Sequence, residues 1–411
     1  MKDIRSIPPV LFKRRERCCG CGACYSACPT GAISMQEDAE GFYYPLVDEK
    51  KCIGCRKCIN ACNFQHGAFS DGALSCFAAS SIDGAPRSAS GGVFASLANT
   101  IIDRGGAVAG CCYLICDGVL TPRHVLVTSK DELSVLLGSK YVQSEASAVF
   151  VDVRSMLSDN REVLFCGTPC QVAGLYGYLG GHPEGLYTID LVCHGVPSAA
   201  LLQGYIAELE KREHAHIVDM QFRSKFKGWG PLLLAFGLER DGERYTKYAP
   251  ADESSYYSLF LALDTLRPSC YECPFASKRR PADITIGDFW GVEETHPELI
   301  EENSGVFKPS SGVSCVLVNN ANGQKLLNLG EDTLISRAVS FESIASKNDQ
   351  LRTPGVRKPS RDRVYQTFAR GGYGAVERAW RLRMLPAHLL RAIVQLIPEA
   401  IKRPLRQLLT R

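Results

Sequence analysis

Apolar and polar positions along most of this chain fall into strand-like and helix-like stretches in turn. From about residue 73, short apolar runs mark buried strands at 74–79, 107–114, 163–165 and 186–192. Apolar residues at helical spacing lie between or after them, at about 93–103, 145–157, 169–179 and 198–212. Further strand signals follow at 216–223, 231–238 and 313–319. Such alternation favours a mostly parallel or mixed sheet with helices on both faces. Residues 67–92, rich in Gly, Ala and Ser, read as a boundary and an entry loop. From about 361 the chain reads as helical, with breaks at Pro386, Pro398 and Pro404.

The first 66 residues follow neither period. They contain Cys18-x2-Cys21-x2-Cys24-x3-Cys28-Pro29 and, 34 residues later, Cys52-x2-Cys55-x2-Cys58-x3-Cys62. This is the ligand spacing of a bacterial two-cluster ferredoxin, in which the fourth cysteine of each run ligates the other cluster. The crossing assigns Cys18, Cys21, Cys24 and Cys62 to one 4Fe–4S cluster, and Cys52, Cys55, Cys58 and Cys28 to the other. Gly20, Gly22 and Gly54 let the loops curl toward sulfur. The tract 42–45 reads as a short strand between the loops. Asn63 stands where a proline is usual after the second run, and all four thiols are in place. Zinc also takes Cys-x2-Cys pairs, but two complete four-cysteine runs favour the clusters. Cys19 falls outside the pattern and reads as a bystander.

At 411 residues the chain is too long for a ferredoxin alone and suggests two or three domains. An apolar content of 45% and a charged content of 22% are those of a globular protein with a sizeable core. The first residues lack an apolar signal region, and thiolate-ligated clusters call for a reducing compartment, so a cytoplasmic location is expected. No apolar stretch reaches the ~18 residues of a membrane span. Residues 357–411 hold 13 Lys or Arg against 3 Asp or Glu, so the net charge of +3 joins a basic end to an acidic remainder.

The other cysteines show a further order. Cys170 lies in Gly167-Thr168-Pro169-Cys170-Gln171, just after one predicted strand. Cys193 lies in Cys193-His194-Gly195-Val196-Pro197, just after the next. Carboxyl ends of neighbouring strands in an open α/β sheet converge on one crevice. With Cys270-x2-Cys273-Pro274, these residues make a candidate third four-thiolate site. The alternatives are buried, inert thiols and, for Cys170 alone, a nucleophile at a helix N-terminus with His194 as the only evident base.

At these residues the chain resembles the family of β-subunits of coenzyme F420 hydrogenases and dehydrogenases. The resemblance is carried by 167–171, by Cys193 to Ser198, by Phe222-Arg223-Ser224-Lys225 with Gly228-Trp229, and by Asp283 to Gly291. Ser90-Gly91-Gly92 and Gly138-Ser139-Lys140-Tyr141 also fit, and the resemblance covers about residues 15–320. It implies FAD and a body 4Fe–4S cluster held by Cys170, Cys193, Cys270 and Cys273. A flavin suits the chemistry, because it links one-electron carriers to hydride exchange. No G-x-G-x-x-G fingerprint follows a strand, so the flavin rests on the resemblance alone.

Expected flavin contacts are Ser90, Gly91, Gly92, Lys140, Gln143, Ser144 and Asp288, with Lys140 and His194 as catalytic candidates. The glycine turn before a helix offers N–H groups to a phosphate, or is an ordinary helix entry. Arg223, Lys225 and Lys227 beside Trp229 read either as an anion-recognition stretch or as a solvated strand edge.

The expected fold class is therefore α+β. A bacterial-ferredoxin-like domain at 15–66 precedes an α/β mixed-sheet flavin and iron–sulfur domain at 73–350 and a basic helical tail at 361–411. The expected partners are a ferredoxin or another redox protein and a small two-electron substrate. Nucleic acid is not expected, because no reader motif accompanies the basic charge. Residues 382–397 form a basic amphipathic pattern that suits docking on protein or peripheral membrane contact.

Overall fold

The computed structural model describes residues 8–67, 69, 72–84, 87–116 and 118–396, with positions 387–396 as backbone only. The head is a hairpin of β1 (Ile33–Glu37) and β2 (Tyr43–Val47), antiparallel, with the cysteine loops packed about it. The expected strand at 42–45 is β2, and its partner β1 carries a short Ile33-Ser34-Met35-Gln36 alternation that the sequence reading does not single out.

The body is built on an eight-stranded sheet. Its strands are β3 (Ser75–Ser81), β4 (Ala107–Cys116), β5 (Val119–Val127), β6 (Val163–Gly167), β7 (Leu186–Leu191), β11 (Ile284–Asp288), β12 (Ser314–Val318) and β13 (Leu334–Ala338), in the order β13-β3-β12-β11-β7-β6-β4-β5. The four central strands β11, β7, β6 and β4 run parallel, and antiparallel strands flank them on both sides. A separate antiparallel sheet joins β8 (His216–Gln221), β9 (Leu233–Arg240) and β10 (Glu243–Pro250). The mixed sheet expected from the sequence is present. Strands β5, β10, β11 and β13 had no clear apolar signal; β10 is largely exposed along its length.

Local chemistry sets the helix ends. The helix Pro169–Leu179 begins with Pro at its first position, where no backbone donor is lost. The Gln171 side chain accepts from the Thr168 N–H at 2.9 Å, and Gly180 ends the helix in a left-handed conformation. The helix Ala199–Glu213 starts at Ser198, whose Oγ accepts from the Leu201 N–H, and buries Leu201, Leu202, Tyr205, Ile206 and Leu209 along one stripe.

The Pro169–Leu179 helix is also the seat of the head. A Cβ at Gly177 would lie 2.1 Å from the Ala61 carbonyl oxygen, and one at Gly174 would lie 2.8 Å from Cys21 Sγ. Only a bare backbone lets the two lobes approach this closely.

The C-terminal helix Pro359–Leu396 is broken at Gly371 and Gly372, while Pro386 lies within it; Pro398 and Pro404 fall outside the described residues. Its first half lies against the body and the head. Tyr365, Tyr373, Val376 and Trp380 are buried in one cluster with Leu201, Tyr205 and Tyr256. Arg361, fully buried, forks onto Glu40 of the head at 2.6 Å and donates to the Leu266 carbonyl. Part of the basic surplus is thus spent inside the molecule, since Arg357 also pairs with Glu16 and Arg383 with Asp264. Among the described residues no helix is long and apolar enough to cross a membrane.

Gly177→Ala tests the lobe contact by its sign. In a free helix the change stabilises by about 1 kcal/mol. Here the added methyl meets the Ala61 backbone, and anaerobic denaturant unfolding is expected to show a loss of at least about 1 kcal/mol. A gain in stability would mean the lobes do not meet there.

Candidate functional site

The head places its eight expected ligands in two groups. Cys18, Cys21, Cys24 and Cys62 line a cavity of about 540 Å³, with Cys19 and Cys58 also at its wall. Cys28, Cys52, Cys55 and Cys58 line a second, smaller cavity. Burial is the main cause that raises Cys24, and the nearby thiols of Cys21, Cys18 and Cys62 add to it. Burial and then Cys21 push Cys62 up to about 11. Cys58 is raised by burial, with Cys28 and Cys55 as its thiol neighbours. Each run therefore sends its fourth cysteine to the other loop, as the ferredoxin spacing requires.

The four body cysteines also converge. β6 and β7 are adjacent and parallel, so Cys170 and Cys193 leave the sheet at the same edge. Burial pushes Cys193 up to about 12, and Cys170 and Cys273 raise it further. Cys270 is raised by burial and by Cys193, Cys273 and Cys170. Cys273 is pushed up to about 11 by burial and then by Cys170. Thiols that oppose one another's ionisation make poor neighbours until a cation binds them, and an iron–sulfur core would supply one. Among the described residues no three His, Cys, Asp or Glu side chains close to the spacing of a single ion. A four-iron cube is larger than one ion and holds its thiolates farther apart.

Cys19 lies between two of these groups. It is buried, and its thiol reaches both Cys170 of the body and Cys21 of the head, which together with burial raise it. Cys170 is lowered to about 7, first by the hydrogen bond from Cys19 and then by Thr168, whose Oγ1 lies 3.2 Å away. Among the described residues His194 makes no hydrogen bond to Cys170. Its Nδ1 faces Gln350 Nε2 at 3.2 Å, and its ring packs on Phe260 at 4.9 Å.

The expected flavin contacts divide. The Gly91 N–H donates to Ser314 Oγ at 3.0 Å, and the Ser90 carbonyl accepts from Lys225 Nζ at 2.5 Å. Asp288 accepts from Arg223 at 2.8 Å and from Trp229 Nε1 at 2.8 Å. Trp229 stacks on Trp290 at 4.9 Å, and Arg223 lies over Trp290 at 4.8 Å. Ser90, Arg223, Lys225, Trp229, Asp288 and Trp290 are thus one connected group, drawn together from distant stretches of sequence.

The remaining contacts lie elsewhere. Lys140 Nζ donates to the carbonyls of Val135 and Leu137, and burial lowers its pKa. Ser144 shares a buried network with His124 and Gln171. Burial lowers His124 to about 4, so its ring is neutral. Gln143 turns toward the head, donating to the Cys19 carbonyl at 3.0 Å and accepting from Arg267 at 2.9 Å.

Sequence reasoning did not single out Arg267, which touches Cys18, or Arg280, which pairs with Asp190 beside the body cysteines. Proximity in sequence was the available signal: Arg267 stands three residues before Cys270, and Cys19 lies inside the first cysteine run.

Thiol-lined cavities in a duplicated head, joined to further cysteines in an α/β body, are the build of an iron–sulfur electron-transfer oxidoreductase. Residues 17–66 match the 4Fe-4S dicluster domain, and residues 160–342 match the family described as the C terminus of the coenzyme F420 hydrogenase/dehydrogenase beta subunit. Over that region the chain matches this family, and the resemblance read from its motifs holds. The F subunit of the F(420)H(2) dehydrogenase of Methanosarcina mazei is 25% identical over 296 residues, 68% of this chain and 78% of that protein. An uncharacterised ferredoxin of Methanocaldococcus jannaschii is 50% identical over 30 residues, 7% of this chain and 39% of that one. A solved chain from the F420-reducing NiFe hydrogenase complex of Methanosarcina barkeri is 15% identical. That alignment covers 75% of this chain and 91% of the other, with a TM-score of 0.43.

The crossed assignment predicts pairwise phenotypes. Cys18→Ala and Cys62→Ala are expected to remove the same signal from the EPR spectrum of the reduced protein, and Cys28→Ala and Cys52→Ala the other. Pairing of Cys18 with Cys28 instead would contradict it.

Proposed function

We propose that this chain carries electrons one at a time through three 4Fe–4S clusters to a bound flavin, where they leave or enter as hydride on a two-electron substrate. Cys18, Cys21, Cys24 and Cys62 hold the first cluster, Cys28, Cys52, Cys55 and Cys58 the second, and Cys170, Cys193, Cys270 and Cys273 the third. The observation that carries this reading is the grouping of the thiols, with Cys19 reaching Cys21 on one side and Cys170 on the other. That contact makes the first cluster the neighbour of the third, and leaves the second, beside exposed Cys55, as the entry from a ferredoxin or another redox protein.

A bound flavin supplies the exchange between one-electron and hydride chemistry. The chain would hold it at the group formed by Ser90, Arg223, Lys225, Trp229, Asp288 and Trp290. Lys140 adjoins this group through the next residue, Tyr141, whose side chain bonds Arg223. Burial lowers Lys225 to about 8, so its amine gains from an anionic neighbour such as a pyrophosphate or a reduced ring. Ser90, Gly91 and Gly92 shape the wall, with Gly92 in the left-handed conformation that opens the helix Val93–Asp103.

His194 is held as a neutral imidazole by burial. With its Nδ1 facing the Gln350 amide Nε2 at 3.2 Å, a neutral ring that accepts there carries its proton on Nε2. The backbone of Leu261 and Phe260 faces this buried ring and opposes the effect of burial. In this reading His194 is the proton donor beside the flavin.

A relay without a substrate site is the second reading. It is favoured by the internal bonds already made by Gln143, Ser144 and the Gly91 N–H.

Iron, sulfide and flavin analysis of the anaerobically purified chain separates the two. About 12 Fe, from three four-iron clusters, with one FAD supports the oxidoreductase reading. About 8 Fe and no flavin leaves the two-cluster relay. If the flavin site is as proposed, Lys225→Ala weakens FAD binding at least tenfold with the iron content unchanged. Equal FAD affinity in that variant would move the flavin elsewhere.

A further inference from the structure

Four arginines of the body and tail are almost wholly buried: Arg223, Arg267, Arg280 and Arg361. Three of them face a carboxylate. Arg223 pairs with Asp288 at 2.8 Å, Arg280 with Asp190 at 2.8 Å and Arg361 with Glu40 at 2.6 Å. Arg267 is completely buried, yet its recorded hydrogen-bond partners are all uncharged, and it makes no ion pair among the described residues. A buried guanidinium without an anion is strongly unfavourable. Some group must supply the missing negative charge.

The geometry shows where. Arg267 Nε–H donates to the Cys18 carbonyl at 2.9 Å, and Nη1 donates to Gln143 Oε1 at 2.9 Å. Nη2 donates to the Tyr43 carbonyl at 3.0 Å and lies 4.0 Å from Cys18 Sγ. The guanidinium also lies over the Tyr44 ring at 4.2 Å and the Phe42 ring at 5.3 Å, so its plane is fixed on both edge and face. Gly20, at φ +69°, leaves the room: a Cβ there would lie 2.9 Å from the guanidinium carbon. On its other side the Arg267 backbone N–H donates to the Val196 carbonyl, in the loop that follows Cys193. The thiols that feel its charge are Cys18, Cys19 and Cys270, with Cys21 and Cys170.

We propose that Arg267 is the fixed counter-charge of the cluster held by Cys18, Cys21, Cys24 and Cys62, and that it raises the reduction potential of that cluster at its junction with the body. The inference rests on the ligand assignment proposed above. Reduction adds one electron and one negative charge to the cluster. A permanent cation in a dry site favours the reduced form, and net charge and hydrogen bonding to sulfur are what tune such clusters. Arg267 thereby keeps the electron at the head–body junction available to the body site rather than returning it to the outer cluster. The same charge explains why Gln143 faces the head: its amide oxygen holds the fork, and its amide N–H secures the Cys19 carbonyl.

The test uses the full chain, purified without oxygen, with iron analysis and EPR-monitored potentiometry on each variant. Arg267→Lys keeps the charge and loses the fork; Arg267→Gln loses both. With iron retained in each, the Gln variant is expected to lower one couple, the one lost in Cys62→Ala, at least tenfold in its reduction equilibrium, about 59 mV for a one-electron couple. The Lys variant is expected to stay closer to the wild type. Equal potentials in the Lys and Gln variants overturn the proposal, since a purely structural role would not sort them by charge. Should Arg267→Gln fail to keep its iron, Gln143→Glu sets a carboxylate against the guanidinium and is expected to lower the same couple; no shift there also overturns it. A wild type with iron for only two clusters would sink the body site instead, and the Cys18 couple would still report on Arg267.

Discussion

The close approach of one helix to the cysteine-bearing head is the constraint on which the rest of this structure depends. Gly174 and Gly177 remove the side chains that would hold the lobes apart, so Cys21 and Ala61 rest directly on the helix that begins at Pro169. The same helix carries Cys170 in its first turn. A body cysteine and a head cysteine are therefore held by one rigid element, and Cys19 fills the gap between them. The sheet serves this contact, since β6 delivers the helix and its parallel neighbour β7 delivers Cys193 to the same edge.

Electrostatics follow from that burial. Bringing the lobes together dries the interface, and a dry interface makes every charge expensive unless it is answered. Arg280, Arg223 and Arg361 are answered within the protein by Asp190, Asp288 and Glu40. The thiols and Arg267 are not answered by carboxylates. They are complementary to one another once iron is bound, with anionic clusters beside a permanent cation. In this view the cofactors are part of the core of the head as well as its working groups, because the first cysteine group encloses a cavity rather than a packed interior.

The C-terminal helix closes the arrangement from outside. Arg361 ties Glu40 of the head to the Leu266 carbonyl, one residue before Arg267, and Tyr365 donates to the Thr265 carbonyl at 2.7 Å. The segment that presents Arg267 is thus clamped from the tail side as well as by Val196. The basic charge of the tail reads differently once these contacts are seen, since Arg357 and Arg361 face acidic partners in the head and Arg383 one in the body.

Much of this was legible in the sequence. The cysteine spacings carried the two head groups, because ligand geometry dictates spacing within a loop. The helices at 93–103 and 169–179 were legible to the residue, because their entry residues and apolar period agree there. Strand β11 was hidden because its Ile-Thr-Ile-Gly-Asp run is short and mixed. β10 was hidden because it is exposed and polar. Arg267, Gln143 and Cys19 could not be read, since their roles arise from contacts across more than a hundred positions of chain. Iron anomalous diffraction from anaerobic crystals tests the central claim most directly. Three four-iron sites are expected, with the Cys18 site lying between the Cys28 site and the Cys170 site. Iron absent from the Cys170 group, or a Cys28 site nearer to it than the Cys18 site, would contradict this arrangement.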